Sequence, residues 1–254
     1  AKNDERVKKL IEEVKKRKSK KKASIDLNQN DIVIIEPIET KKEIKQGWQI
    51  LFNGSDFDGW RGVNHKTFPE KGWAIKNKTI TNTGEKGGSI ITTVKFGNFE
   101  LVWEWRMVTP GANSGLKYFV VEREGDTGGY GYGIEYQMLD DSNHEWMKSG
   151  QMKSNDFHTL GSAYELYEAS PDKKPKKLGK WNSSKIVCNN GKVEHWLNGK
   201  KILEYDRFNE DFKEKVAASK FKNIENYGLH KKGHILLQDH ASEVYFKNIK
   251  IRKL

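Results

Sequence analysis

Between positions 99 and 240 this chain sets glutamate, arginine, lysine, glutamine and histidine in the middle of strand-like runs. Side chains of these types can move protons and hold hydroxyl groups. In Phe99–Arg106 the apolar positions Phe99, Leu101, Trp103 and Trp105 alternate with Glu100, Val102, Glu104 and Arg106. In Gly115–Val121, Lys117 and Phe119 oppose Leu116, Tyr118 and Val120, and further on Glu135 and Gln137 oppose Ile134, Tyr136 and Met138. The set His234, Leu236, Gln238 and His240 opposes Ile235, Leu237 and Asp239. Successive strand residues point to opposite faces, so each run offers one core face and one polar face. If the strands are neighbours, Glu104, Arg106, Lys117, Glu135, Gln137, Gln238 and His240 share one surface. A plain solvent face favours Lys, Thr and Glu, whereas Arg, Gln and His recur here in mid-strand with aromatics beside them.

The same spacings limit the chemistry. Glu100 and Glu104 lie about 13 Å apart on an extended strand, too far for a glycosidase carboxylate pair at roughly 5–9.5 Å. A two-carboxylate mechanism would have to combine Glu104 with Glu135 across strands. His234 and His240 are about 20 Å apart if extended and cannot chelate one ion from a continuous strand. Metal dependence is left open, and no cofactor is expected. Cys188, the single cysteine, sits in the apolar run Ile186-Val187-Cys188 and reads as a buried small hydrophobe.

The elements that must position these groups are short alternating segments split by Gly, Asn and Asp turns, running from Gly47 to the C-terminus. Asn53-Gly54, Asn190-Gly191 and Asn198-Gly199 are tight-turn signals. Helical pattern is confined to about Phe208–Ala218 and the N-terminal tail. The pattern predicts an all-β sandwich of two antiparallel sheets. Trp103, Trp105, Leu116, Tyr118, Ile134, Ile235 and Leu237 should face inward. Eight Trp, nine Tyr and eleven Phe can fill such a core and also offer platforms for sugar rings.

Residues 1–46 read as a separate basic extension and linker, with Val7, Leu10, Ile11 and Val14 at helical spacing and a strand candidate at Ile32–Ile35. Of the net charge of +11, residues 1–22 carry +7, leaving +4 for the other 232 residues. The basicity therefore belongs to the tail. No aromatic interleaves its lysines, so no nucleic-acid partner is expected. No stretch approaches the ~20 apolar residues of a membrane helix. Oligomeric state is not legible.

Several segments together resemble one family. They are Leu51-Phe52-Asn53-Gly54 with Asp58-Gly59-Trp60, Phe99-Glu100-Leu101 with Glu104-Trp105-Arg106, and Asn113-Ser114-Gly115. Gly133 through Asp140, Trp181-Asn182, His195 through Gly199, Leu237 through His240 and Phe246-Lys247-Asn248-Ile249 complete the set. In this order they resemble the 3-keto-disaccharide hydrolase family, common in Bacteroides-like and planctomycete bacteria, over roughly residues 47–254.

The resemblance implies a concanavalin A-like lectin/glucanase jelly roll and an exported protein, periplasmic or extracellular, with a lipid anchor in some members. It also implies a disaccharide or glycoside substrate oxidised at C3, whose ketone acidifies the C2 proton. Such a reaction needs a general base, a donor to the ketone and an acid for the leaving oxygen. Glu135 or His240 would be the base, Arg106 or Lys117 the polarising donor and Glu104 the acid. Asn113, Gln137, Asp140, Tyr164 and Gln238 would hold sugar hydroxyls. The alternative is a non-catalytic lectin on the same fold.

Overall fold

The computed structural model describes residues 41–123, 129 and 131–254. The tail helix expected over residues 1–22 and the strand candidate Ile32–Ile35 lie outside the described residues. The chain divides into two compact units, 1–46 and 47–254. In the first, a short helix α1 spans Lys41–Lys45.

The second unit is two antiparallel sheets. The larger orders β11 (Lys200–Asp206), β10 (Lys192–Leu197), β9 (Asn182–Asn189), β6 (Phe99–Met107), β13 (Glu243–Lys253), β4 (Thr79–Thr83) and β3 (Trp73–Lys76). The short β1 (Gln49–Ile50) also pairs with β13. The smaller sheet orders β2 (Trp60–Gly62), β5 (Ile90–Thr92), β12 (His234–Leu237), β7 (Asn113–Val121) and β8 (Tyr132–Leu139). This is the sandwich expected from the alternation, and all seven residues named above as inward-facing are buried.

The apolar faces drive the packing. In β6 burial alternates strictly, with Phe99, Leu101, Trp103, Trp105 and Met107 buried and the residues between them half-exposed. Burying a side chain of this size contributes about 1.5–3 kcal/mol. Trp103 of the large sheet meets Tyr136 of the small one edge to face, with ring centroids 5.0 Å apart. The helical stretch expected near Phe208–Ala218 is α3, Glu210–Ala218, where the Asn209 side chain accepts from the Phe212 N–H at 2.8 Å.

One strand departs from simple alternation. Phe119 adopts a left-handed φ of 53°, and the β7 registers with β8 and β12 both shift there. This bulge turns Phe119 into the main core. Val120 instead continues the Lys117 face, joining Val63, Ile91 and Leu236 in a second apolar cluster. The opposing chain must come very close: a Cβ at Gly233 would lie 2.2 Å from the Phe119 carbonyl carbon. Only glycine fits that approach.

A polar chain crosses the sandwich. His195 Nδ1 donates to the Gly161 carbonyl at 2.8 Å, so Nε2 accepts from the Tyr118 hydroxyl at 2.8 Å. The Tyr205 hydroxyl, 2.5 Å from that of Tyr118, then donates to it. Burial pushes His195 down to about 4, the hydrogen bond to Gly161 only partly opposing it. The unfolded chain, with its histidine near 6.5, therefore takes up a proton that the folded one refuses. Stability is full above about 6.5 and falls as the pH drops toward 4, by roughly 3 kcal/mol for this group. Thermal unfolding followed across that window should show the drop. His195→Gln should start less stable but lose that part of the slope.

Candidate functional site

A cavity of about 400 Å³ opens on the face of the small sheet turned away from the sandwich core. Its floor comes from adjacent strands. Asn113 and Lys117 stand on β7, Glu135 and Gln137 on β8, and Gln238 and His240 follow the end of β12. Lys117 pairs in register with Glu135, and Gly115 with Gln137. Beyond the bulge this face carries the apolar cluster of Val63, Ile91, Val120 and Leu236, with the Arg61–Glu122 ion pair beside it.

Glu135 occupies the centre and is 5% exposed. The Lys117 Nζ lies 3.7 Å from its Oε2, and Gln238 Nε2 donates to the same oxygen at 3.3 Å. Burial lifts the Glu135 carboxyl above the usual carboxylate range, and Lys117, Lys220 and His240 pull it partway back. A carboxyl group shifted upward in this way is a stronger proton acceptor than an ordinary solvated carboxylate. Room for it comes from Gly115, since a Cβ there would lie 2.4 Å from Glu135 Oε1. Asn113 Nδ2 lies 3.5 Å from His240 Nε2.

Three buried side-chain oxygens around this floor have no hydrogen-bond partner among the described residues: Asn113 Oδ1, Gln137 Oε1 and Gln238 Oε1. A buried acceptor left unpaired costs about 1–3 kcal/mol. Three of them in one cavity suit a ligand rich in hydroxyl donors.

The walls come from irregular chain. Residues 161–164 run along the free edge of β8: Gly161 N–H donates to the Gln137 carbonyl, Gln137 N–H to Ser162, and Tyr164 N–H to Glu135. This added edge fixes the Tyr164 ring against the cavity. Lys220 stands 4.1 Å from that ring's centroid and 3.3 Å from Glu165. Phe221 stacks on Tyr227 at 4.2 Å, and the Tyr227 hydroxyl donates to the Gly133 carbonyl at 2.7 Å. Tyr132 and Ile224 complete the apolar wall.

The structure thus brings together Asn113, Lys117, Glu135, Gln137, Tyr164, Gln238 and His240. It does not bring Glu104 or Arg106, which correct the expected convergence. Both stand on β6, in the other sheet. Glu104 accepts from Asn248 Nδ2 at 2.6 Å and pairs with Lys247 at 3.3 Å. Arg106 lies over the rings of Trp181 and Tyr245. Alternation identified their polar face but not the sheet that carries it.

Asp140 is also elsewhere. It accepts from the Gly111 N–H, Ser142 and Asn143, and it lines a separate cavity of about 580 Å³. The strand aromatics Trp103, Trp105 and Tyr136 fill the core rather than rim the site. Lys220, Phe221, Ile224 and Tyr227 carried no signal, because wall residues on loops follow no period, and Tyr132 opens β8 one residue before the alternating run that was read. Burial pushes the Cys188 thiol up, in keeping with an inert core residue. Among the described residues, no three His, Cys, Asp or Glu side chains are grouped as a metal ion would require.

Comparison with known proteins gives these residues a context. Residues 47–252 match the family model of the 3-keto-alpha-glucoside-1,2-lyase-like domain. A 3-keto-disaccharide hydrolase of Bacteroides thetaiotaomicron is 34% identical over 234 residues, covering 82% of this chain and 79% of that protein. Two crystal structures from Parabacteroides distasonis, provisionally named as glycosyl hydrolases, share the fold. One is 35% identical with a TM-score of 0.76, covering 85% of this chain and 98% of the other. The second is 26% identical with a TM-score of 0.61, covering 82% and 99%. With the cavity set on a sandwich of this kind, the chain belongs to the 3-keto-alpha-glucoside-1,2-lyase-like family.

Proposed function

We propose that this protein is a glycoside hydrolase-type enzyme that cleaves glycosides already oxidised at C3, by elimination followed by addition of water. The observation that carries this reading is the buried Glu135 carboxyl, raised by burial and held beside a lysine, amid unpartnered amide oxygens. Among the described residues that line the cavity, Glu135 is the one carboxylate, whereas an ordinary two-carboxylate glycosidase needs a pair.

The steps follow from the groups present. Glu135 removes the C2 proton while Lys117 donates to the C3 ketone oxygen, where negative charge develops. The electron pair left at C2 forms the C1=C2 double bond, and the C1–O bond breaks. With Glu104 on the other sheet, His240 is the group placed to protonate the leaving oxygen. Water then adds at C1, giving its proton to His240, and Glu135, its proton exchanged with solvent, protonates C2. The products are the free 3-keto sugar and the leaving alcohol. Asn113, Gln137 and Gln238 accept from the sugar hydroxyls.

Paired incubations test this. The protein should release the alcohol from a 3-keto-disaccharide but not from the unoxidised disaccharide, as followed by mass spectrometry. In heavy water the released keto sugar should carry deuterium at C2. Equal cleavage of both sugars would rule out elimination. Binding of sugar without turnover of either would make the protein a lectin.

A further inference from the structure

The cavity floor addresses one sugar ring, and its volume lies near the lower end of the roughly 300–1,000 Å³ found for ligand pockets. A glycoside with a second ring must extend past the rim. From the cavity residue Tyr164, ring contacts lead outward through His158 to exposed aromatic side chains that the reaction above does not use.

Trp146 and Phe157 are among the few large apolar side chains left exposed, at 46% and 37%. Both pack on His158, with ring centroids 5.9 and 4.6 Å away, and His158 packs in turn on the cavity residue Tyr164 at 5.0 Å. These rings are held in place. His158 is clamped between Asp156 Oδ1 at 2.7 Å and Glu165 Oε1 at 3.1 Å. Glu165, which also binds Lys220, has a left-handed φ of 68°, uncommon for a glutamate. Trp146 sits on the short helix α2, Glu145–Lys148, whose first N–H groups are capped by the His144 side chain accepting from Trp146 N–H. Exposed aromatics fixed in this way, contiguous with a cavity and interleaved with charged hydrogen-bonding groups, mark a binding surface rather than loose packing.

We propose that Trp146, Phe157 and Tyr164 form an outer subsite that takes the leaving group, a second sugar ring stacking on the exposed indole while the oxidised ring fills the cavity. This rests on the reading of the cavity as a 3-keto-glycoside site. The flat C–H face of a pyranose matches an indole, and Asp156, Glu165 and Lys220 offer partners to its hydroxyls.

Steady-state kinetics test it on two substrates, a 3-keto-disaccharide and methyl 3-keto-α-glucoside. The wild-type protein should favour the disaccharide through KM. Trp146→Ala should cost about tenfold more in kcat/KM on the disaccharide than on the methyl glycoside, mostly in KM, and Trp146→Phe should restore most of it. Circular dichroism checks that both variants are folded. Equal losses on both substrates, or an undiminished preference in the folded variant, would overturn the subsite alone. Failure of the wild-type protein to turn over either substrate would overturn the cavity assignment and the subsite with it.

Discussion

Glu135→Gln should lower the turnover of a 3-keto-glycoside by roughly 10²- to 10⁴-fold while leaving the fold in place. The substitution keeps the shape of the side chain, so the space beside Gly115 and the contact with Gln238 survive. What it removes is the proton acceptor. The loss should fall on kcat, because a base contributes in the transition state and little to the ground state. Deuterium incorporation at C2 should disappear in proportion. Thermal stability should hold or rise, since a buried carboxylate is replaced by a neutral amide that carries no desolvated charge. A folded variant with an unchanged rate would move the role of base to His240, the other cavity residue able to take a proton. A variant that loses sugar affinity alone would speak for a lectin.

How far such a site can be read from sequence depends on what enforces each residue's position. Lys117, Glu135 and Gln137 were legible because β7 and β8 each bury one face in a single core, which pins the alternation. Gln238 and His240 were legible for a different reason: they follow β12 where its last hydrogen bond, Gln238 N–H to the Gly115 carbonyl, holds the chain beside β7.

Glu104 and Arg106 obey the same alternation on β6, yet the long-range pairing of β6 with β9 and β13 sends them to the other sheet. That pairing joins residues more than seventy positions apart, and local pattern holds no record of it. Phe119 misled in a subtler way. Continued alternation puts it on the Lys117 face, whereas the bulge at its left-handed φ returns it to the core. The only hint was Gly233, whose need becomes visible once the opposing backbone is in place. Of the walls, only Tyr164 was named from the sequence, and that through the family resemblance rather than through any period. Lys220 and Phe221 follow the end of α3 in chain without periodicity, and their place is set by Tyr227 and Glu165.

Lys117→Met separates the two duties assigned to that lysine and should give the second large effect. Its ammonium group is the cation nearest the cavity carboxyl, 3.7 Å from Glu135 Oε2. As the donor to the developing enolate oxygen it should be worth about 10²–10³ in kcat, the usual cost of removing one such donor. Methionine retains the length and apolar stem, so the floor should not collapse. The second effect concerns protons. Burial raises the Glu135 carboxyl and Lys117 is foremost among the charges that lower it, so its loss should raise that carboxyl further.

Activity requires the ionised form, and the acid limb of the pH–rate profile should therefore move to higher pH in the variant. Stability supplies an independent reading of the same shift. A carboxyl that holds its proton more tightly folded than unfolded stabilises the fold below its unfolded pKa, and that contribution is lost as the pH rises through the folded one. The variant should lose more thermal stability than the wild-type protein across that rise. A reduced rate with an unmoved acid limb would leave Lys117 as a donor to substrate only. An unmoved rate with a shifted limb would give the ketone to another cation, and among the described residues Lys220 is the other lysine lining the cavity.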